Sequence, residues 1–251
     1  MSHEKTKAPA IDHGVRILDV LATSAYAMTL SEICEATGIS PATGHRVVNA
    51  LLKHQLVAKD PGRKKAYCIG SRVFQISSTI YNKQSLVPLF YPIAEILKNE
   101  IHKSIFLCIP IGSQVVVVSK VDASSSDSID VFIGKTMAMH ASAAGKAILS
   151  MRPQSSWKSY FIDEFVQAPG EEQHRELVDS LERARRLGYA ISSSSDQEST
   201  GCIATPVLNM RNEPIAAISA VIHRGVMKAE DARSYSKFLV QAARQLSARV
   251  T

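Results

Sequence analysis

The residues best suited to chemistry in this sequence fall in one basic window and one run of small residues. Between Pro41 and Arg72 stand seven cations (Arg46, Lys53, Lys59, Arg63, Lys64, Lys65 and Arg72) against one acid, Asp60. That window alone carries +6, the formal net charge of all 251 residues, so the rest of the chain cancels. A local basic excess is the footprint of a polyanion-binding surface, although a solvated face looks the same on charge alone. Ser40-Pro41-Ala42-Thr43-Gly44-His45-Arg46 adds polar donors at the start of a helix. Arg46 suits a bidentate contact to guanine or a phosphate, and His45 can donate to either. Ser40 and Thr43 bring hydroxyls to the same helix end. Arg63, Lys64 and Lys65 read as phosphate anchors, Lys53 and Lys59 as ordinary solvated charges.

The second run is His140-Ala141-Ser142-Ala143-Ala144-Gly145-Lys146. Ser142 caps a helix whose tiny first residues leave the opening N–H groups uncovered, which makes a carboxylate site without any cation. The same small residues would equally let a helix pack closely on a sheet. A phosphate loop is excluded: the first glycine of GxxxxGK[ST] would fall at His140, and Ala147 replaces the hydroxyl residue. Cys34, Cys68, Cys108 and Cys202 lie far apart with no CxxC, and cysteines and histidines never cluster. Neither a metal site nor a disulfide framework follows, no cofactor is implied, and a reduced cytoplasm is the default compartment. The competing class is an enzyme with Cys202 or Ser219 as nucleophile. No His or Asn stands at a defensible spacing from Cys202, and such an enzyme has no need of the basic window.

Several elements must position these residues. Ile17, Val20 and Leu21 repeat at helical spacing. Thr29 or Ser31 can cap a short second helix with Ile33 and Ala36 inward, stopping at Gly38. Ser40 caps a third, with Pro41 at its first position, running to about His54 with Val47, Leu51 and Val48 as candidate core. Leu56–Lys59, Asp60–Lys65 and Ala66–Gly70 then read as strand, turn, strand. Two short helices followed by a basic-tipped hairpin form a winged helix-turn-helix.

Beyond it, Val73–Lys83 reads as a helix and Gln84-Ser85 as a boundary. Leu86 to Ile101 is helical in period, with Pro92 expected to kink or interrupt it. Strands are expected at Ser104–Ile109, Gln114–Val121, Ile129–Ile133, Tyr189–Ser192, Cys202–Leu208 and Pro214–His223. Helices are expected at Ser142–Ser150, at Glu172–Leu187 and from about Lys228. The fold class is α+β. The organisation is a tail (1–12), a winged helix-turn-helix (13–72), a linker helix (73–84) and a sensor-type domain (85–251). The length suits two unequal domains, and 45% hydrophobic with 21% charged residues is a globular balance. No apolar run approaches a membrane span, and the start shows no secretory signal.

The segment Gly14–Phe74 (GVRILDVLAT…LSEICEATGISPATGHRVVNALLKHQLVAKDP…YCIGSRVF) resembles the DNA-binding domain of the IclR-type bacterial transcription regulators. Gly134–Leu149, Leu181–Ala190 and Cys202–Ser219 resemble the same family's effector domain, in order and at family-like separations. The resemblance implies a winged-helix domain joined by a linker helix to a GAF-like α/β effector-binding domain. It also implies dimers or tetramers on operator DNA, and a small organic acid or aromatic catabolite as effector. Aligned to relatives, the effector pocket maps onto Ile129 and Met137 as apolar walls and Ala143 and Ala144 as backbone donors. Ser192, Cys202 and Ser219 map as polar contacts, and Val221 falls where some relatives carry a hydroxyl. Gly44 sits where relatives usually carry a larger residue, which reads as a tolerated helix defect or a close approach to DNA. Ser192-Ser193-Ser194-Ser195-Asp196 stands where relatives are often rich in Asp and Glu.

Overall fold

The computed structural model describes residues 8–82, 86–123, 131–161, 171–192, 200–224 and 229–250. The chain divides into two compact units, 1–84 and 85–251.

In the first unit, helix α1 (Pro9–Thr23) begins inside the segment the sequence pattern assigns to a tail. The reason is local: Pro9 occupies the first helical position, where its fixed φ helps and its missing N–H costs nothing. Strand β1 (Met28–Thr29), too short to show a period, leads into α2 (Leu30–Thr37). Thr29 caps α2. Its hydroxyl accepts from the Glu32 N–H while the Glu32 carboxylate accepts from the Thr29 N–H, a reciprocal capping box. Ser40 caps α3 (Pro41–Lys53), accepting from the Thr43 N–H.

The buried stripe of α3 is Gly44, Val48 and Leu51, with Val47 only partly covered. This stripe packs with Ile17, Leu21, Ile33 and Val57 into one small core. Gly44 is neither a defect nor a DNA approach. A Cβ there would stand 2.5 Å from Cys34 Sγ, so the absent side chain is what lets α2 and α3 meet. Strands β2 (Val57–Lys59) and β3 (Ala66–Ile69) form the wing, with β1 added on the far edge of β3. The Asp60 carboxylate accepts from the N–H groups of Gly62 and Arg63, both at 2.7 Å, and so shapes the turn. Helix α4 (Ser71–Asn82) closes the unit.

The second unit is built on a six-stranded antiparallel sheet in the order β6-β5-β4-β9-β8-β7. Its strands are β4 (Ile105–Ile111), β5 (Gln114–Val121), β6 (Thr136–Ala138), β7 (Ala190–Ile191), β8 (Thr200–Leu208) and β9 (Pro214–Arg224). Both faces are covered, which is why the strands read as near-continuous apolar runs. Ile105, Leu107, Ile203, Ile218 and Ala220 face helices α5 (Leu86–Ile101) and α8 (Ala229–Ser247). Phe106, Cys108, Ala204, Ala217 and Val221 face α6 (Ala143–Ser150), α7 (Glu171–Leu187) and a 3-10 turn, Gln154–Tyr160, that anchors Trp157.

The structure departs from the sequence pattern at three points. Helix α5 runs through Pro92 as one element, held by Phe90, Ile93, Ala94 and Leu97 in the core. Residues 131–133 form no strand; Phe132 and Ile133 are both 55% exposed. The strand that pairs with β5 is β6, beginning after the turn at Gly134. The 3-10 turn carrying Trp157 has no counterpart in the sequence reading. Among the described residues no helix is long and apolar enough to cross a membrane, and no His/Cys/Asp/Glu group could hold a metal ion.

Candidate nucleic-acid interface and ligand site

With Gly44, Val48 and Leu51 turned inward, α3 presents His45, Arg46 and Asn49 outward. Asn49 Nδ2 lies 3.3 Å from the His45 ring, so the two form one polar patch. Asn49 is absent from the sequence reading, although its i+4 spacing from His45 was the available signal. Among the described residues nothing pairs with the Arg46 guanidinium. Ser40 is exposed, and its hydroxyl also donates to Thr43 Oγ1 at 3.1 Å, so both hydroxyls are tied to the cap.

The wing differs from expectation at Arg63. Its guanidinium donates to the Ala27 carbonyl and to Glu32 Oε1, each at 2.7 Å. Arg63 therefore ties the wing to α2 rather than standing free as a phosphate anchor. Glu32 answers electrostatically: the Arg63 hydrogen bond, then the Thr29 N–H, hold its carboxyl at about 2 instead of 4.5. Lys64 and Lys65 remain exposed at the tip, and Lys65 turns the chain with φ of 59°.

In the second unit the sheet face under α6 gathers most of the mapped effector residues. Ala143, Ala144 and Val221 lie in one buried cluster, with Met137 and Cys202 packed against it. The register pairs Cys202 with Val221, and Ser219 with both Ala204 and Phe106. Ser192 and Cys202 are linked twice: the Ser192 N–H donates to the Cys202 carbonyl, and the Cys202 N–H donates to Ser192 Oγ at 2.9 Å. Ser219 is 7% exposed and gives its proton to the Ile203 carbonyl at 3.2 Å. Ile129 and residues 193–196 lie outside the described residues.

Ser142 caps α6, accepting from the Gly145 N–H at 3.0 Å. Gly145 is dictated by close approach, because a Cβ there would stand 2.1 Å from the Met139 carbonyl oxygen. All eight residues of α6 are buried. Among the described residues no acceptor faces the N–H groups of Ala143 or Ala144. Lys146 is buried with them, and its burial pushes the pKa below the lysine range. In the sequence Lys146 enters only as the last residue of the run His140–Lys146. The overlooked signal was a lone charge inside the small and apolar run Ala143–Ser150.

Nucleophile chemistry finds no support on this face. Burial, then the neighbouring Cys202, pushes the Cys108 thiol up to about 12, and the Ser219 proton goes to a backbone carbonyl rather than a base.

A winged helix-turn-helix with an exposed polar helix face, followed by a sheet domain covered by helices on both faces, is the architecture of this chain. The family models agree. The IclR helix-turn-helix domain matches residues 10–61, and the bacterial transcriptional regulator IclR C-terminal domain matches residues 78–248. This chain belongs to the IclR family. It is 29% identical over 250 residues to the HTH-type transcriptional regulator BhcR of Paracoccus denitrificans, covering 95% of this chain and 86% of that one. It is 22% identical to the transcriptional repressor IclR of Escherichia coli, covering 95% and 88%. An IclR homologue of Microbacterium hydrocarbonoxydans, solved in complex with 4-hydroxybenzoate, superposes with a TM-score of 0.71 at 18% identity, covering 95% and 98%. The family and these relatives are transcription regulators, which sets aside the enzyme reading on Cys202 or Ser219.

Proposed function

We propose that this regulator is a cytoplasmic, effector-responsive repressor of catabolic genes whose ligand is a small organic acid, with an aromatic carboxylate as one candidate. The observation that carries the DNA-binding half is the outward face of α3, where His45, Arg46 and Asn49 are exposed, in a unit whose wing tip also exposes Lys64 and Lys65. Arg46 and His45 read bases, Ser40 and Thr43 hold the helix end at the backbone, and the wing lysines take phosphates. The ligand half rests on the buried sheet face under α6, where the N–H groups of Ala143 and Ala144 lack acceptors. Ser192, Cys202 and Ser219 bring polar edges to it, and Met137 and Val221 apolar wall. The 4-hydroxybenzoate carried by the Microbacterium relative supports the ligand class.

The regulator acts as a dimer or tetramer. Helix α4 supports this by leaving Phe74 76% and Ile76 48% exposed, apolar surface suited to a second copy. The ligand matters only through unequal affinity for the DNA-competent and incompetent states. Fluorescence anisotropy on the chain's own upstream DNA is the test. Arg46→Ala should lose sequence-specific affinity by about 1–3 kcal/mol and leave the fold intact. Operator affinity equal to wild type would overturn the assignment of α3.

A further inference from the structure

Strand β8 is only partly covered on the side that β7 occupies. β7 pairs with Ile203 and Ala204, so among the described residues the stretch from Thr205 to Leu208 is a sheet edge. The Cys202 carbonyl accepts from the Ser192 N–H on that side, and by strand alternation Pro206 turns its backbone the same way. Proline has no N–H to offer, and the Leu208 N–H is taken by Ser247 Oγ of α8 at 2.9 Å. The edge is thus closed to an added strand but open to a smaller molecule.

Against this edge lies a cavity of about 760 Å³, bounded by the end of β8, the β8–β9 turn, the last turns of α8 and the residue that ends α6. Small-molecule sites run to roughly 300–1,000 Å³. Met151, Pro206, Leu208, Val240 and Val250 give it apolar wall, and Arg185 and Arg244 are the cations that line it. Among the described residues no Asp or Glu lines it, and it shares no residue with the site proposed under α6.

Arg185 is fixed. Its Nε and Nη2 donate to the carbonyls of Ser150 and Arg152 at 2.6 and 2.5 Å, and its guanidinium lies 5.0 Å over the Trp157 ring. Arg244 is exposed in the last turn of α8, and among the described residues it pairs with no acid. Ser247 follows three residues later on the same helix face; its oxygen accepts from Leu208 and leaves the hydroxyl proton to donate. Nearby acids are engaged elsewhere: Glu213 with Asn209 Nδ2 at 2.8 Å, and Glu182 with Gln154. Two guanidinium groups in one concavity repel each other. An oxyanion there offsets that repulsion and accepts charge-assisted hydrogen bonds from planar forks that match its geometry.

We infer that the cavity at the β8 edge is a second small-molecule site, taking an organic oxyanion: a carboxylate or a phosphate ester carried on an apolar body. Arg244 and Arg185 hold the anionic group, Ser247 donates to it, and the body lies against Met151, Pro206 and Leu208.

Titration calorimetry and hydrogen exchange on the full-length protein are the test, with benzoate and phenyl phosphate as probes and benzamide and benzyl alcohol as neutral controls. At least one anion should bind wild type, with its neutral control weaker by about tenfold or more, and should protect the amides of Leu208–Asn212 and Val240–Val250. The tighter of the two probes tells a carboxylate site from a phosphate one. Arg244→Gln, at an exposed position, should weaken that anion by about tenfold and leave the neutral control unchanged; Arg244→Glu should abolish the binding. No protection at the β8 edge, or undiminished affinity in both variants, overturns the inference and leaves Arg244 a complement to the end of α8. Equal losses for anion and neutral control overturn it too, as the mark of a packing role. Protection confined to Met137–Leu149 overturns it while supporting the site under α6, so the two readings fail separately.

Discussion

Replacing Gly44 with alanine sets two effects of opposite sign against each other at the centre of the DNA-binding unit. Alanine is favoured over glycine in a helix interior by about 1 kcal/mol. The added methyl, however, would stand 2.5 Å from Cys34 Sγ and 3.6 Å from Leu30 Cδ1. Overpacking a closed interior costs about 1–3 kcal/mol. It outweighs propensity here because α2 and α3 cannot part without opening the contacts of Ile33, Val48 and Leu51. Gly44→Ala should therefore destabilise the first unit, by up to about 2 kcal/mol.

The partner is identified by a double-mutant cycle. Cys34→Ala alone removes one buried heavy atom and should cost about 1 kcal/mol. In the double variant the methyl fills that space and the propensity gain is uncovered. The pair should thus be at least about 1 kcal/mol more stable than the sum of the singles. Hydrogen exchange of the α2 and α3 amides in the full-length protein reads the change. The only tryptophan, Trp157, lies in the second unit, so its fluorescence transition is an internal control and should not move. Gly44→Ala raising protection, whatever stands at position 34, would show that the helices do not meet at Gly44 and would refute the reasoning.

The remaining predictions concern the wing. Lys64→Ala with Lys65→Ala should flatten the slope of log DNA affinity against log salt by about 2. Arg63→Ala should leave that slope nearly unchanged and instead lower the stability of the unit, since its guanidinium is bound to Ala27 and Glu32; an equal flattening by Arg63→Ala would place it on phosphate after all. The Glu32 carboxyl, held at about 2 rather than 4.5, adds stability that is present above pH 4.5 and lost as pH falls through the lower value. A carboxyl NMR titration should find it well below the usual range in wild type and back near it in Arg63→Ala; a wild-type midpoint near 4.5 removes the pairing.

Local signals in the sequence were sufficient for the caps and the outline. Ser40 and Ser142 act on N–H groups three residues away, and their helices begin where the sequence places them. The two-residue strand β1 carries too short a pattern to announce itself, and β6 appears only because β5 offers it an edge. The class of protein was legible for a related reason: a recognition helix and a basic wing are adjacent in sequence as well as in space.

What only the tertiary structure decided depends on partners distant in the chain. Arg63 meets Glu32 across 31 positions, so a residue whose type suggests a phosphate anchor proves to be a brace. Gly44 is explained by Cys34 on another helix, and the inward face of α3 by a core drawn from α1, α2 and β2. The residues proposed for the ligand site come from separate stretches between Met137 and Val221, brought together by the register of β8 on β9 and by α6 lying over them. Burial is a property of that assembly, and this is why Lys146 looked like any surface lysine until the sheet was in place beneath it.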